Sequence, residues 1–469
     1  MVVKIDFKSI SVEEERLKIS ANDKICDIDI CDVIGCHLSE EPAGFLSALF
    51  GSYPYLVVRY ISKGKDYKWT AETLQVAGSK EECEALQNKI NGILGQANLR
   101  PRRLGIFINP VGGGGNSLNV YKNVVHPLFK AANIKCDVNV SERPKHMIDL
   151  INCFDTASVD GLVIVGGDGS LLEVLNCLLT RAQKEADLDY DQPTCKLKPL
   201  EVPIGIIPTG TGNGTARGLY GNMDVVTAVL HIIRGRTNYN NIQAVYSGGK
   251  MVSFSGVVIA CGLFTDIMYE TDRQRWLKRA RYSVIPLYML LFKRPRLFKV
   301  KLSIFSGKST SNDDSMEAQD LGEVRSVMSL YGDFFNNATD SKMDFVKLSR
   351  ESRKTDVFTL LAFKESGRLE FMSSFLLFLS FTRSLFQKDF IAPYTVTGYR
   401  VKILSGDKNL PQDAHVARMN NLLDVDGEMI DLVDGEYEVW NHIRMQFSSI
   451  SVKRVHILRQ DCGMNIWRT

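Results

Sequence analysis

Apolar and polar residues alternate along this chain in three successive rhythms. Over residues 1–98 short runs of strand type recur: Leu17 to Ile19, Ile28 to Ile30, Tyr55 to Ile61 and Trp69 to Val76. They give way to Lys80 to Leu94, where Cys83, Leu86, Ile90 and Leu94 share one helical face. This predicts a small β domain closed by one helix. From Leu104 four strand-type stretches follow, Leu104 to Ile108, Lys135 to Val140, Leu162 to Val165 and Ile204 to Ile207. Helical patterns separate them at Leu118 to Ala132, Ser141 to Ile151 and Leu171 to Leu178, and a polar loop runs from Ala182 to Leu200. Strand–helix alternation at this spacing predicts a doubly wound parallel sheet over residues 99–240.

Beyond residue 240 the rhythm is that of strands with few helices: Gln243 to Tyr246, Val252 to Cys261, Phe298 to Phe305, Val324 to Tyr331, Val357 to Ala362, Tyr399 to Leu404 and Glu436 to Phe447. A β-sandwich over 241–469 is expected, so the fold class is α/β followed by β. Ser306 to Gly322 is polar and unpatterned and reads as an exposed loop with phosphorylatable serines. A second apolar helix is expected from Phe371 to Phe386, either core or cavity lining.

Three of the predicted strands end in glycine: Asn109-Pro110-Val111 with Gly112, Gly113, Gly114 and Gly115, then Gly166-Gly167-Asp168-Gly169, then Pro208-Thr209-Gly210-Thr211-Gly212-Asn213. In a parallel sheet such turns share the carboxyl edge, where ligands bind. Glycines there let backbone N–H groups approach an anion closely, and Asp168 adds one carboxylate. A single turn of this kind is equally well an ordinary strand–helix connection with an Asp cap; three together point to phosphate. GxxxxGK[ST] is absent, and so is a clean GxGxxG with a ribose-binding acid, which leaves a nucleotide site of another type.

Composition narrows the partners. With 57 Lys and Arg against 54 Asp and Glu, the net charge of +3 gives no global attraction to nucleic acid. None of the ten cysteines forms a CxxC pair, so no zinc site is expected and the thiols fit a reducing compartment. Met1-Val2-Val3 is neither a signal peptide nor a myristoylation site, and the longest apolar run, Ser283 to Phe292, is too short to span a membrane. A cytoplasmic protein is expected. From Trp276 to Lys299 there are seven Lys or Arg and no Asp or Glu. That segment is either a solvated basic face over a packing helix or a surface that meets anionic lipid. Near the end, Asp424-Val425-Asp426-Gly427-Glu428, echoed by Asp434-Gly435-Glu436, reads as acidic turns with Asp-Gly at the bend.

Taken as a set and in this order, these motifs resemble the diacylglycerol-kinase catalytic superfamily, and within it the sphingosine and ceramide kinases. The resemblance spans Leu104 to Phe447, and the first 98 residues resemble, more loosely, a pleckstrin-homology module. It implies an ATP- and Mg2+-dependent kinase acting on a lipid's primary hydroxyl, working as a peripheral visitor to an anionic membrane surface. Asp168 then resembles the base that takes the hydroxyl proton. Asn109, Gly112 to Gly115, Gly167, Gly169, Glu173, Thr209, Gly210, Thr211 and Asn213 resemble the phosphate cradle and its surroundings. Ser141, Glu142 and Arg143 match the nucleoside pocket, Arg275 and Arg281 the phosphate-binding arginines, and Asp426, Gly427 and Glu428 the late acidic motif. Asp266, Met268 and Glu270 match the lipid head-group segment; no metal ligand is assigned.

The resemblance departs from sphingosine kinases at Val111, Gly114 and Asn116, where basic residues are common, and at Met268, which replaces an acid. Gly205 to Pro208, Ala228 to Ile232, Arg275 to Leu277 and Ala280 to Tyr282 read like ceramide kinases, whereas Asn213 and the missing cysteine cluster do not. The expected substrate is a sphingoid base, sphingosine, with ceramide as the alternative. A catalytically silent lipid-binding relative is a further alternative.

Overall fold

The computed structural model describes residues 2–6, 10–13, 16–21, 24–39, 55–96, 100–235, 237–293, 296–305, 316–330, 357–367, 388–405 and 418–447. Four parallel strands form its centre: β1 (Arg103–Ile108), β2 (Lys135–Val140), β3 (Gly161–Gly166) and β4 (Ile204–Pro208). Their spatial order is β4-β3-β1-β2. Every residue of β3 and β4 is buried, as continuous apolar runs require when helices cover both faces of a sheet. The order reverses between β1 and β3, so the turns leaving those two strands open the crevice at the switch point. After β3, helix α1 (Asp168–Glu185) buries Leu171, Leu172, Val174, Leu175, Leu178 and Leu179. It runs four residues into the expected polar loop, because Gln183 turns inward and closes hydrogen bonds to the 198 backbone. Helix α2 (Gly214–Tyr220) follows β4.

The strands after residue 240 do not form two separate sheets. They make one curled antiparallel sheet that continues into the parallel one through β9 (Glu436–Phe447), whose Phe447 pairs with Ile204. The turning point is β6 (Met316–Leu330), which pairs with Phe298–Phe305 along its first half and with Val258–Gly262 and Phe358–Lys364 along its second. One 15-residue strand thus serves both faces, and Val300, Leu302, Phe358, Leu360 and Tyr399 meet in one core between them. Residues 316–322, expected as loop, are strand here, since pairing with 298–305 satisfies their backbone whatever their side chains. The expected strand Val252 to Cys261 is broken at Gly256-Val257 into Lys250–Ser255 and β5 (Val258–Gly262). Residues 306–315 and the apolar stretch Phe371 to Phe386 lie outside the described residues.

Three elements between these sheets frame the site. Helix α3 (Leu263–Arg273) leaves β5, a short 3-10 turn spans Arg275–Ala280, and helix α4 (Arg281–Phe292) follows. The hairpin β7 (Leu422–Val425) and β8 (Glu428–Asp431) turns on Asp426-Gly427, both at positive φ (53° and 91°), as a two-residue turn of this hand requires.

The first 98 residues form a four-stranded and a three-stranded sheet, with the helix Lys80–Gln96 burying Cys83, Leu86 and Ile90 against them. This unit docks on the helix Val225–Arg234. Trp69 stacks on His231 at 3.6 Å, its backbone N–H donates to Thr227 Oγ1 at 3.0 Å, and the buried Arg234 pairs with Asp32 at 2.8 Å. Arg100 donates to the carbonyls of Cys31 and Ile34 at the junction.

Candidate active site

The three glycine-rich turns are tied to one another by side chains. Asn109 Nδ2 donates to Ser170 Oγ at 2.9 Å, joining the first turn to the second. Ser117 and Thr209 hydroxyls meet at 2.8 Å, joining the first to the third, and the Thr209 N–H donates to the Gly166 carbonyl. The second and third turns approach so closely that a β-carbon on Gly210 would overlap Gly167 Cα and sit 2.7 Å from Asn213 Oδ1; only glycine fits. Asn213 itself is buried at positive φ and its Nδ2 donates back to the Gly210 carbonyl.

Asp168 begins α1, half-buried, and faces the amino end of α2. Gly214 N–H donates to its Oδ2 at 2.9 Å and Thr215 N–H to its Oδ1 at 3.0 Å. Two backbone donors fix the carboxylate's plane, yet each oxygen keeps a lone pair for a proton arriving from the open side. Neither partner was nominated from the sequence. The signal was there: Gly214 and Thr215 are the first residues of the helix that the third turn enters.

The late acidic hairpin reaches this corner from the other sheet. Glu428 Oε1 would lie 3.5 Å from a β-carbon on Gly169, and burial together with the Glu428 charge pushes the Glu173 carboxyl up. Burial and Asp272 push Glu428 up in turn. Asp426 is spent differently. Its buried carboxylate accepts Ser255 Oγ and the N–H groups of Gly256, Val257 and Val258, at 2.7–3.0 Å, and so locks the break that precedes β5. Burial raises it to about 6, and raises Asp424, which accepts the Gly427 N–H, to about 8. Among the described residues no group of three or more His, Cys, Asp or Glu gathers to hold a metal ion.

Arg275 and Arg281 enter beside the turns. Asp272 holds Arg275 in a two-pronged ion pair at 2.7 and 2.8 Å, which raises the arginine, and lies 3.6 Å from Arg281. Asp272 was not singled out from the sequence, although its spacing of three from Arg275 on a helix is a pairing distance. Ser141 is buried, its N–H donating to the Ile108 carbonyl, while Glu142 and Arg143 are exposed, Arg143 pairing with Asp149. Of the segment expected at the lipid head group, Asp266 is buried in a bidentate pair with Arg296, which also donates to Asn420 and the Met419 carbonyl. Glu270 is half-exposed beside Arg273, and Met268 is half-buried.

This arrangement has counterparts among known proteins. Residues 103–245 match the family model of the diacylglycerol kinase catalytic domain. Over 264 residues the chain is 28% identical to the ceramide kinase of Homo sapiens, covering 55% of this chain and 49% of that one. It is 33% identical over 199 residues to sphingosine kinase 1 of Arabidopsis thaliana, covering 42% of this chain and 38% of that one. The chain thus spans half or less of the length of these relatives. Its fold is shared by a Bacillus anthracis protein solved as a candidate diacylglycerol kinase, with a TM-score of 0.50 at 16% identity, over 75% of this chain and 96% of that one. The tied glycine turns lie within residues 103–245, the part of the chain that matches the diacylglycerol kinase catalytic domain, and the chain is similar to ceramide and sphingosine kinases.

Proposed function

We infer that the chain is a lipid kinase that moves the γ-phosphoryl group of ATP onto the primary hydroxyl of a sphingolipid, a sphingoid base such as sphingosine or its N-acyl form, ceramide. The observation that carries this is Asp168, held by two backbone amides where three glycine-rich turns are tied together. An alcohol is a weak nucleophile, so a fixed carboxylate that orients it and takes its proton supplies what phosphoryl transfer asks of the protein. Asn109, Gly112 to Gly115, Gly167, Gly169, Thr209 to Thr211 and Asn213 form the cradle, with Ser141 to Arg143 toward the nucleoside. Arg275 and Arg281 neutralise phosphate charge, exchanging Asp272 for it. Mg2+, bound chiefly by the phosphates, needs only one or two carboxylates from the protein, and Glu428 and Glu173 suit that number. Asp266, Met268 and Glu270 border the acceptor head group, Asp266 acting through Arg296. The three domains are 1–98, of pleckstrin-homology type in strand number and closing helix, 99–240 and 241–469.

The test is transfer of labelled γ-phosphate from ATP to a panel of sphingosine, ceramide and diacylglycerol by the full chain. Label in a sphingolipid is the expected result. ATP binding with no labelled lipid across the panel would favour a catalytically silent relative instead.

The lipid is collected, on this reading, at a membrane surface through α4. Its outward face carries Val284, Leu287, Tyr288 and Phe292 at helical spacing, with Phe292 72% exposed and Trp276 just upstream 74% exposed. Bases flank this apolar face at Lys278 and Lys293, and no acid lies between Trp276 and Lys299. No helix of the described residues is long and apolar enough to cross a membrane. Each base near an anionic surface contributes about 1 kcal/mol. Lys278→Glu with Lys293→Glu should therefore cut sedimentation with phosphatidylserine liposomes by about tenfold or more. Unchanged sedimentation would return α4 to an ordinary solvated helix.

A further inference from the structure

Tyr282, at the first turn of α4, stands where the lipid-facing helix meets the catalytic turn. A β-carbon on Gly212 would lie 3.3 Å from Asp168 Oδ2 and 3.9 Å from Tyr282 Oη, so these two oxygens are within about 7 Å of each other, the sum of the two distances. The phenol is held in place by Arg281, whose Nη2 donates to Oη at 2.9 Å and whose guanidinium carbon lies 4.8 Å from the ring centroid. A guanidinium can only donate. The phenolic oxygen is therefore the acceptor of that bond, and its proton remains to be given elsewhere. Among the described residues it meets no second partner. Arg281 Nε, buried, has none either.

We propose that Tyr282 is a specificity-determining residue of the acceptor site, whose O–H donates to a neutral oxygen of the lipid head group while Asp168 receives the primary hydroxyl. This rests on the kinase reading above and deepens it. A donor backed by a guanidinium suits a carbonyl oxygen. It does not suit a protonated amine, which has no lone pair to accept with and carries the same charge as Arg281. The nearby acids are each matched by an arginine, Asp266 in its buried pair with Arg296, Glu270 beside Arg273 and Asp272 beside Arg275 and Arg281, and position 268 is the uncharged Met268. In an N-acylated sphingoid base the primary hydroxyl and the amide carbonyl lie a few bonds apart on one branch, so one molecule reaches both Asp168 and Tyr282. The acceptor class is accordingly the amide-bearing sphingolipid in preference to the free base.

The experiment compares the full chain with Tyr282→Phe, which removes one oxygen and keeps the ring. Short-chain ceramide and sphingosine are each titrated in mixed micelles at saturating ATP, and ATP is titrated at fixed lipid. We expect kcat/KM for ceramide to fall about tenfold, the loss of one hydrogen bond, with KM for ATP unchanged and the ceramide-to-sphingosine ratio lowered. An unaltered ratio, or a rise confined to KM for ATP, would overturn the proposal and leave Tyr282 as a support for Arg281. If the parent chain phosphorylates neither lipid, it is the kinase reading that fails. The proposal is then decided by binding of a fluorescent short-chain ceramide, where equal affinity of parent and Tyr282→Phe refutes it and weaker binding by the variant sustains it.

Discussion

Asp168→Asn should lower kcat by about 10²- to 10⁴-fold, the range that positioned acid–base groups contribute. The amide keeps the shape of the carboxylate and one acceptor oxygen, so one of the bonds from Gly214 and Thr215 survives. Its NH2 faces the other backbone donor, which costs about 1–3 kcal/mol of local stability for the unsatisfied group. Nucleotide affinity should change little, because the glycine turns are held by Asn109, Ser117 and Thr209 rather than by Asp168 alone. Single-turnover transfer, equilibrium ATP binding and thermal unfolding separate these effects. Full turnover in a folded Asp168→Asn protein would remove Asp168 from the role of base.

The second large effect concerns stability. Arg296→Met should cost roughly 3–5 kcal/mol, because it leaves the Asp266 carboxylate buried with its principal counter-charge gone. Arg296 and Asp266 side chains are only 8% and 12% exposed. The same guanidinium reaches Asn420 and the Met419 carbonyl, so it joins the start of α3 to the segment entering β7. Asp266→Leu combined with Arg296→Met should recover part of the loss, since a buried pair replaced by apolar groups of similar volume is often near neutral. Urea unfolding of the two single variants and the double variant measures the coupling. A cost for Arg296→Met no larger than that of a surface change, about 0.5 kcal/mol, would show that the pair does not hold these elements together.

Much of the candidate site was readable from residues close together in the chain. The three glycine turns, Asp168 and the Asp426-Gly427 bend each sit at the end of a strand whose apolar run announces it. The roles of Asp426 and Asp266 were not readable. Alone, each is an acid in a polar-looking stretch. Asp426 turns out to bind a backbone break some 170 positions earlier, and Asp266 an arginine 30 positions later. Nor did the strand rhythm distinguish a two-sheet sandwich from one curled sheet. The distinction rests on which partners Met316–Leu330 takes along its length, and its first half carries no apolar alternation to mark it as a strand.

The parallel sheet, the succession of glycine-rich turns on one edge and the carboxylate among them are all legible along the chain. These follow from local periodicity and from backbone conformations that few residues tolerate. Which polar groups are spent on the fold and which still face the glycine turns emerges only once the chain is folded. Asp426 and Asp266 are committed to the fold, while Glu428 lies beside Gly169, and Asp168 and the Tyr282 hydroxyl both lie beside Gly212. That division depends on which segments distant in the chain are brought together, because a buried polar group must find its partner wherever the fold supplies one.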